Sequence, residues 1–248
     1  VDDVLERTDG DLRLGGVSTV GTVMFTDLRG FTAFAEKRSP ERVIDALNRY
    51  FDETSDAILD HGGTLVAYRG DGFLAAFGAP IEVEDHADRA LATARDMVDV
   101  RLPRFNEWLR SNGFGEDVRM GVGLNSGPFM SGNIGSAQRL AYTVIGDTIN
   151  TASRIEALTK ETPYQLHVAE STYELLTEPD QAKLAYIDEL AIRGRTTKLK
   201  LWGMGLSPVP PAKALSICAA VRCCRFRITS RTHAALTTRR LFVATSPS

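Results

Sequence analysis

Apolar and polar positions along this chain fall into blocks that switch between a strand period and a helix period. Residues 20–26 form an apolar, β-rich run that reads as a buried strand. Ser39-Pro40-Glu41 then marks a helix start, with a capping serine, a proline in the first turn and an early acid. Val43, Leu47, Tyr50, Phe51, Thr54 and Ile58 recur at helical spacing until Gly62-Gly63 ends the helix. Residues 64–68 and 73–77 read as short strands around Gly70-Asp71-Gly72, the signature of a hairpin. A helix is expected over 85–109, interrupted near Pro103. Strand patterns follow at 118–124, 129–134 and 140–145, the last two joined by a polar arm at 135–139. The spacing then predicts a helix at 148–158, a short strand and helix at 165–168 and 169–176, and late strands at 184–190 and 198–204 flanking Gly194.

This order predicts an α+β fold: a ferredoxin-like α/β sandwich with a mainly antiparallel sheet and helices on one face. Residues 1–17 are polar and glycine-containing and read as a lead-in or linker, and 18–206 as the folded domain. Pro208, Pro210 and Pro211 mark its end, and 207–248, with scattered arginines and no clean period, reads as a mobile or adventitious tail.

Composition sharpens this picture in three ways. The 248 residues, 43% apolar and 25% charged, suffice for one globular domain with a sizeable core plus a tail. Every apolar run falls short of the ~18 residues of a spanning helix, and the chain opens on no basic-then-apolar secretion signal. The expectation is a cytoplasmic protein with no membrane segment in this chain. The tail holds seven of the 29 basic residues and no acid, so the domain is left with 22 basic against 32 acidic residues. An acidic domain argues against nucleic-acid binding, whose footprint is a basic face. Cys218, Cys223 and Cys224 all lie in the tail without the paired spacing of a zinc site, and His61, His86, His167 and His233 match no metal triad.

The candidate chemistry lies in two aspartates. Asp27 stands where the first strand ends, three residues before Gly30, and Asp71 where the hairpin turns, between Gly70 and Gly72. Two carboxylates at strand ends, next to bare backbone amides, suit a magnesium-bound triphosphate and a two-metal site for phosphoryl or nucleotidyl transfer. The turn through Gly30, Phe31 and Thr32 presents free amides at a helix start, a seat for phosphate.

These residues lie in five motifs that follow one another in a fixed order: FTDLRGFT, GDGFLAAFGAP, GVGLNSG, YTVIGDTINTASR and RGRTTK. Over residues 18–206 the chain resembles the catalytic domain of bacterial class III adenylyl and guanylyl cyclases. The resemblance implies closure of the ribose 3′-oxygen onto the α-phosphate of a nucleoside triphosphate, with release of pyrophosphate. It implies that Asp27 and Asp71 bind two Mg²⁺ or Mn²⁺ ions, with the Leu28 carbonyl as a further ligand. It assigns ribose orientation to Asn150, stabilisation of the pentavalent phosphorus to Arg154, and triphosphate neutralisation to Arg195. Asn150 and Arg154 stand four apart, on one helix face. In the family the metal carboxylates and the Asn–Arg pair come from different domains, so a head-to-tail homodimer is implied.

The base-reading positions depart from the family pattern. Ala67 stands where adenylyl cyclases carry a lysine, and Thr143 where an aspartate is frequent. Thr143 can exchange one hydrogen bond with the exocyclic amine of adenine, and Ala67 none, so ATP is favoured and weak turnover expected. Arg69 shares strand parity with Ala67 and is a candidate for compensation. Pro128 replaces a basic residue of some relatives. The alternative is a catalytically inactive, cyclase-like module for nucleotide binding or dimerisation, which Ala67 favours and the intact Asp27, Asp71, Asn150 and Arg154 oppose. A diguanylate-cyclase reading fails for want of a full GGDEF signature.

Overall fold

In the computed structural model, which describes residues 15–136, 139–191 and 198–204, two long strands form the spine. β1 (Gly15–Arg29) pairs antiparallel with β4 (Arg119–Ser136) over its full length, from Gly15 opposite Asn133 to Arg29 opposite Arg119. β1 thus extends the apolar run 20–26 at both ends. Between them in sequence come α1 (Phe31–Glu36), α2 (Pro40–Asp60), the hairpin β2 (Thr64–Arg69) and β3 (Gly72–Phe77), α3 (His86–Arg95) and α4 (Leu102–Ser111). After β4 come β5 (Arg139–Ile145), α5 (Asp147–Leu158), β6 (Leu166–Ala169), α6 (Glu170–Tyr173), β7 (Ala185–Ala191) and β8 (Lys198–Met204). The sheet order is β2-β3-β1-β4-β6-β8-β7, with β5 also on β4, and only the β4–β6 pairing is parallel. Both the α+β class and the mainly antiparallel sheet agree with the sequence pattern.

Side chains alternate across the sheet. Met24, Leu28, Phe73, Ala75, Met120 and Val122 face one side, where Tyr50, Ile58, Leu91 and Phe105 of α2, α3 and α4 complete the larger core. Val23, Phe25, Leu74, Ala76 and Phe129 face the other, against Ile149 and Ala152 of α5. Helices therefore cover both faces, which corrects the expectation of one. The cause is local. At Gly123 a Cβ would lie 2.4 Å from the Glu156 backbone nitrogen and 2.7 Å from the Ala152 carbonyl oxygen, so only glycine lets α5 lie flat there.

Two further differences have physical causes. The strands expected at 118–124 and 129–134 are one continuous β4. On the edge away from β1 it pairs with β6 at 122–124 and with β5 from Met130 onward. Pro128 sits in the gap between those partners, where a missing N–H is tolerated. Between α3 and α4 the chain does not break but widens into π-helical turns over Asp96–Arg101, directly before Pro103, whose ring and lacking N–H forbid the ordinary bond. The helix expected at 169–176 is the short α6 alone. No helix among the described residues is long and apolar enough to cross a membrane. The lead-in up to residue 14, the arm residues 137–138, the segment 192–197 and the tail from 205 onward lie outside the described residues.

Candidate active site

The hairpin delivers Asp71 to Asp27 because it carries no side chain at its closest approach. A Cβ at Gly72 would stand 1.8 Å from the Thr26 carbonyl oxygen and 3.1 Å from the Asp27 Cα. β3 therefore lies tight against β1, with Phe73 opposite Thr26 and its N–H donating to Thr26 Oγ1 at 3.2 Å. Gly70, at φ 63, supplies the left-handed turn that other residues resist. Asp71 thus emerges from the turn beside the end of β1. Burial, the neighbouring Asp27 charge and a hydrogen bond between the two carboxyls push the Asp71 carboxyl up to about 6.

The C-terminal end of α5 closes the site from the sheet side. Glu156 is only 7% exposed, and its Oε1 is buried with no hydrogen-bond partner among the described residues. Burial first, and then the Asp27 charge, raise its carboxyl to about 7, against the pull of Lys160 and Arg29. Lys160, in the short 3₁₀ turn after α5, places Nζ 2.6 Å from Asp27 Oδ2. Arg29 Nη2 donates to the Tyr164 carbonyl at 2.5 Å. Sequence reading missed Glu156 and Lys160. Their i, i+4 spacing was a signal, but charged residues at a helix end read by default as a solvated face.

The pair Asp27–Asp71 fits a divalent cation. Two crowded carboxylates, one of them already gripping an ammonium, are a donor set in need of positive charge. No group of three or more His, Cys, Asp or Glu among the described residues could hold a metal. The chain would thus offer two carboxylates and leave other positions to a carbonyl, water and phosphate, as magnesium prefers.

Leu28 follows Asp27, its side chain buried in the larger core at 2% exposure. Gly30, left-handed at φ 78, opens α1 ahead of Phe31 and Thr32, and a Cβ at Gly30 would meet nothing within 4 Å, so the space beside Gly30 is open. Ala67 pairs with Leu74 just past a bulge in β2, on the α5 face, and the Arg69 guanidinium stands 5.7 Å from the Phe25 ring centre on that face. Thr143 pairs with Gly132 and lines an open groove of about 330 Å³ with Gly16, Met130, Ser131 and Ile145. Arg195 lies outside the described residues.

Asn150 and Arg154 do not join the aspartates. Both are exposed, whereas Ala152 and Glu156 of the same helix are buried against the sheet. Two residues along a helix turn the side chain through about 200°, so Glu156 facing Asp27 obliges Arg154 to face away.

Residues 17–204 match the family described as Adenylate and Guanylate cyclase catalytic domain. The chain belongs to the class III cyclase family. The cyclase domain is 36% identical over 181 residues to Adenylate cyclase 1 of Rhizobium meliloti (strain 1021), covering 73% of this chain and 27% of that protein. It superposes on the guanylyl cyclase Cya2 with a TM-score of 0.71 at 33% identity, covering 79% of this chain and 97% of that one. The adenylyl cyclase CyaB from P. aeruginosa gives 0.70 at 27% identity, covering 79% and 98%. An adenylyl and a guanylyl cyclase thus resemble it equally in fold, and the fold does not choose the purine. The chain spans roughly a quarter to a third of the length of the curated relatives it matches.

Proposed function

We propose that this cyclase domain converts ATP to 3′,5′-cyclic AMP and pyrophosphate at a site shared by two copies of the chain. The observation that carries the reading is the division of α5: Glu156 faces the aspartate pair of its own chain, while Asn150 and Arg154 face outward. A second copy is what would bring an outward Asn–Arg face to an Asp27–Asp71 pair. Exposed apolar side chains at Val17, Val20, Met130, Ile134 and Ile145 on β1, β4 and β5 suit contact with such a copy.

In the reaction the ribose O3′ forms a bond to the α-phosphorus, the bond to the bridging oxygen of the β-phosphate breaks, and the hydroxyl proton passes to water. Asp27 and Asp71, with the Leu28 carbonyl, would hold two Mg²⁺ or Mn²⁺ ions, which when bound acidify the 3′-hydroxyl and neutralise the leaving pyrophosphate. The amides of Gly30, Phe31 and Thr32 receive phosphate oxygens. From the second copy, Asn150 holds the ribose and Arg154 meets the charge that builds on the equatorial oxygens, a contact worth about 2.7 to 4 kcal/mol of barrier. Arg195 adds charge against the triphosphate. Thr143 meets the adenine amine, and Ala67 leaves the rest of the purine edge unread.

Purified protein with Mn²⁺ and either ATP or GTP, its products separated by chromatography, tests this reading. Cyclic AMP from ATP, abolished by Asp71→Ala, is the expected result. Nucleotide bound without any cyclic product would instead support the second reading, a nucleotide-binding or dimerising module without turnover. Ala67 in place of a purine-reading lysine is what favours that reading.

A further inference from the structure

The proposed chemistry does not use Lys160, yet its ammonium holds an Asp27 oxygen at 2.6 Å. That oxygen is one a divalent cation would need. The lysine side chain is 51% exposed and unconfined, and Asp27 is 26% exposed, so the contact is open to exchange. A second anionic seat lies within reach. Glu156 precedes Lys160 by one helical turn, the spacing and order in which a glutamate and a lysine meet. Its buried Oε1 has no hydrogen-bond partner among the described residues. Arg29, the other cation near Glu156, already donates to the Tyr164 carbonyl. A buried carboxylate oxygen left without a donor is costly, and here the flexible ammonium one turn on is engaged with Asp27.

Resting on the reading of Asp27 and Asp71 as the cation site, we propose that Lys160 is a displaceable counter-ion. It holds Asp27 while the site lacks a divalent cation, and it crosses to Glu156 Oε1 when such a cation takes the Asp27 oxygens. Lys160 is then a positioning residue with two seats. Held on Asp27 it keeps the two acids from repelling one another, and moved to Glu156 it satisfies the orphaned oxygen at the base of α5. The apparent affinity for the cation is lowered by the fraction of molecules in which the ammonium is on Asp27.

Mn²⁺ binding to the full chain without nucleotide, followed by the electron paramagnetic resonance of free Mn²⁺, supplies the first test. The expected result is binding by the wild type, loss of binding in Asp71→Asn, and about tenfold tighter binding in Lys160→Met. Equal or weaker binding by Lys160→Met, with Asp71→Asn still defective, overturns the counter-ion and leaves the cation site standing. No binding by either wild type or Lys160→Met overturns both. A second measurement separates displacement from a mere change of net charge. With lysines ¹³C-dimethylated, the Lys160 resonance, identified by its loss in Lys160→Met, should shift saturably with Mg²⁺ in wild type and stay fixed in Asp71→Asn. In Glu156→Gln it should move to a different end point. A Lys160 resonance indifferent to Mg²⁺ in a chain that binds Mn²⁺ would overturn the two-seat proposal.

Discussion

Glu156 shows how a single buried carboxyl makes stability depend on pH. Its carboxyl is raised from an ordinary 4.5 to about 7, so the folded chain holds this proton more tightly than the unfolded one. The stability gained is fully present below about 4.5 and is lost as pH rises through about 7. Glu156→Gln, neutral throughout, should therefore gain on wild type by on the order of 1 to 3 kcal/mol between pH 4.5 and 8 in urea melts with EDTA present. A difference that stays flat across that range would contradict the strained carboxyl. Ala67 carries a prediction of another kind. On the proposed reading Ala67→Lys offers a donor to the purine edge and should raise turnover of ATP by a factor of about ten, one good hydrogen bond being worth roughly 1 to 1.5 kcal/mol. Unchanged kcat/KM would show that base reading is not what limits the enzyme. The charges at 27 and 71 were legible in sequence because each stands at a strand end within three residues of a glycine. Glu156 and Lys160 were not, because only their packing against β4 separates them from the solvated charges around them.

Among the elements, the contact between α5 and β4 decides the site. Gly121 and Gly123 leave a shallow seat where a Cβ would strike Thr159 Oγ1 at 2.3 Å and the Glu156 backbone nitrogen at 2.4 Å. A backbone atom cannot swing aside, so Gly123→Ala should lower stability by about 1 to 3 kcal/mol or more, through overpacking. A urea midpoint equal to wild type would refute the close approach. The hairpin and α2 were readable because local signals agree there: a proline in the first helical turn, alternating apolar residues and a Gly-Asp-Gly turn. The placement of α5 was not. Its apolar stripe says that one side is buried, but which sheet face receives it depends on glycines that contribute no hydrophobic signal. Likewise β4 reads as two strands because Gly127-Pro128 mimics a turn, and only the change of partner from β6 to β5 explains why the strand runs through.

For the whole molecule, the proposed reading means that one copy holds two half-sites that cannot serve each other. Asp27→Ala spoils one half and Arg154→Ala the other. Each should be inactive alone, yet a mixture of equal parts should recover about a quarter of wild-type turnover, since half the dimers are mixed and each of these carries one intact site of two. Mixed dimers proven by tag exchange, yet without activity, would count against a shared site. The family was legible from five motifs because their order survives without three-dimensional knowledge. Which cation and which helix face meet the Asp27–Asp71 pair was not, since that follows from register and from the turn of one helix.

The unbroken course of β4 also limits how this chain can vary. Successive side chains on a ribbon alternate between its sides, so one extra residue between Gly121 and Gly132 would invert everything downstream. The floor of α5 would be disturbed, or Thr143's partner strand would present its opposite side. Additions and deletions are therefore confined to the connections between elements, and the eighteen residues of β4 act as a ruler that fixes the spacing between the seat of α5 at Gly121 and Gly123 and the edge that pairs with Thr143.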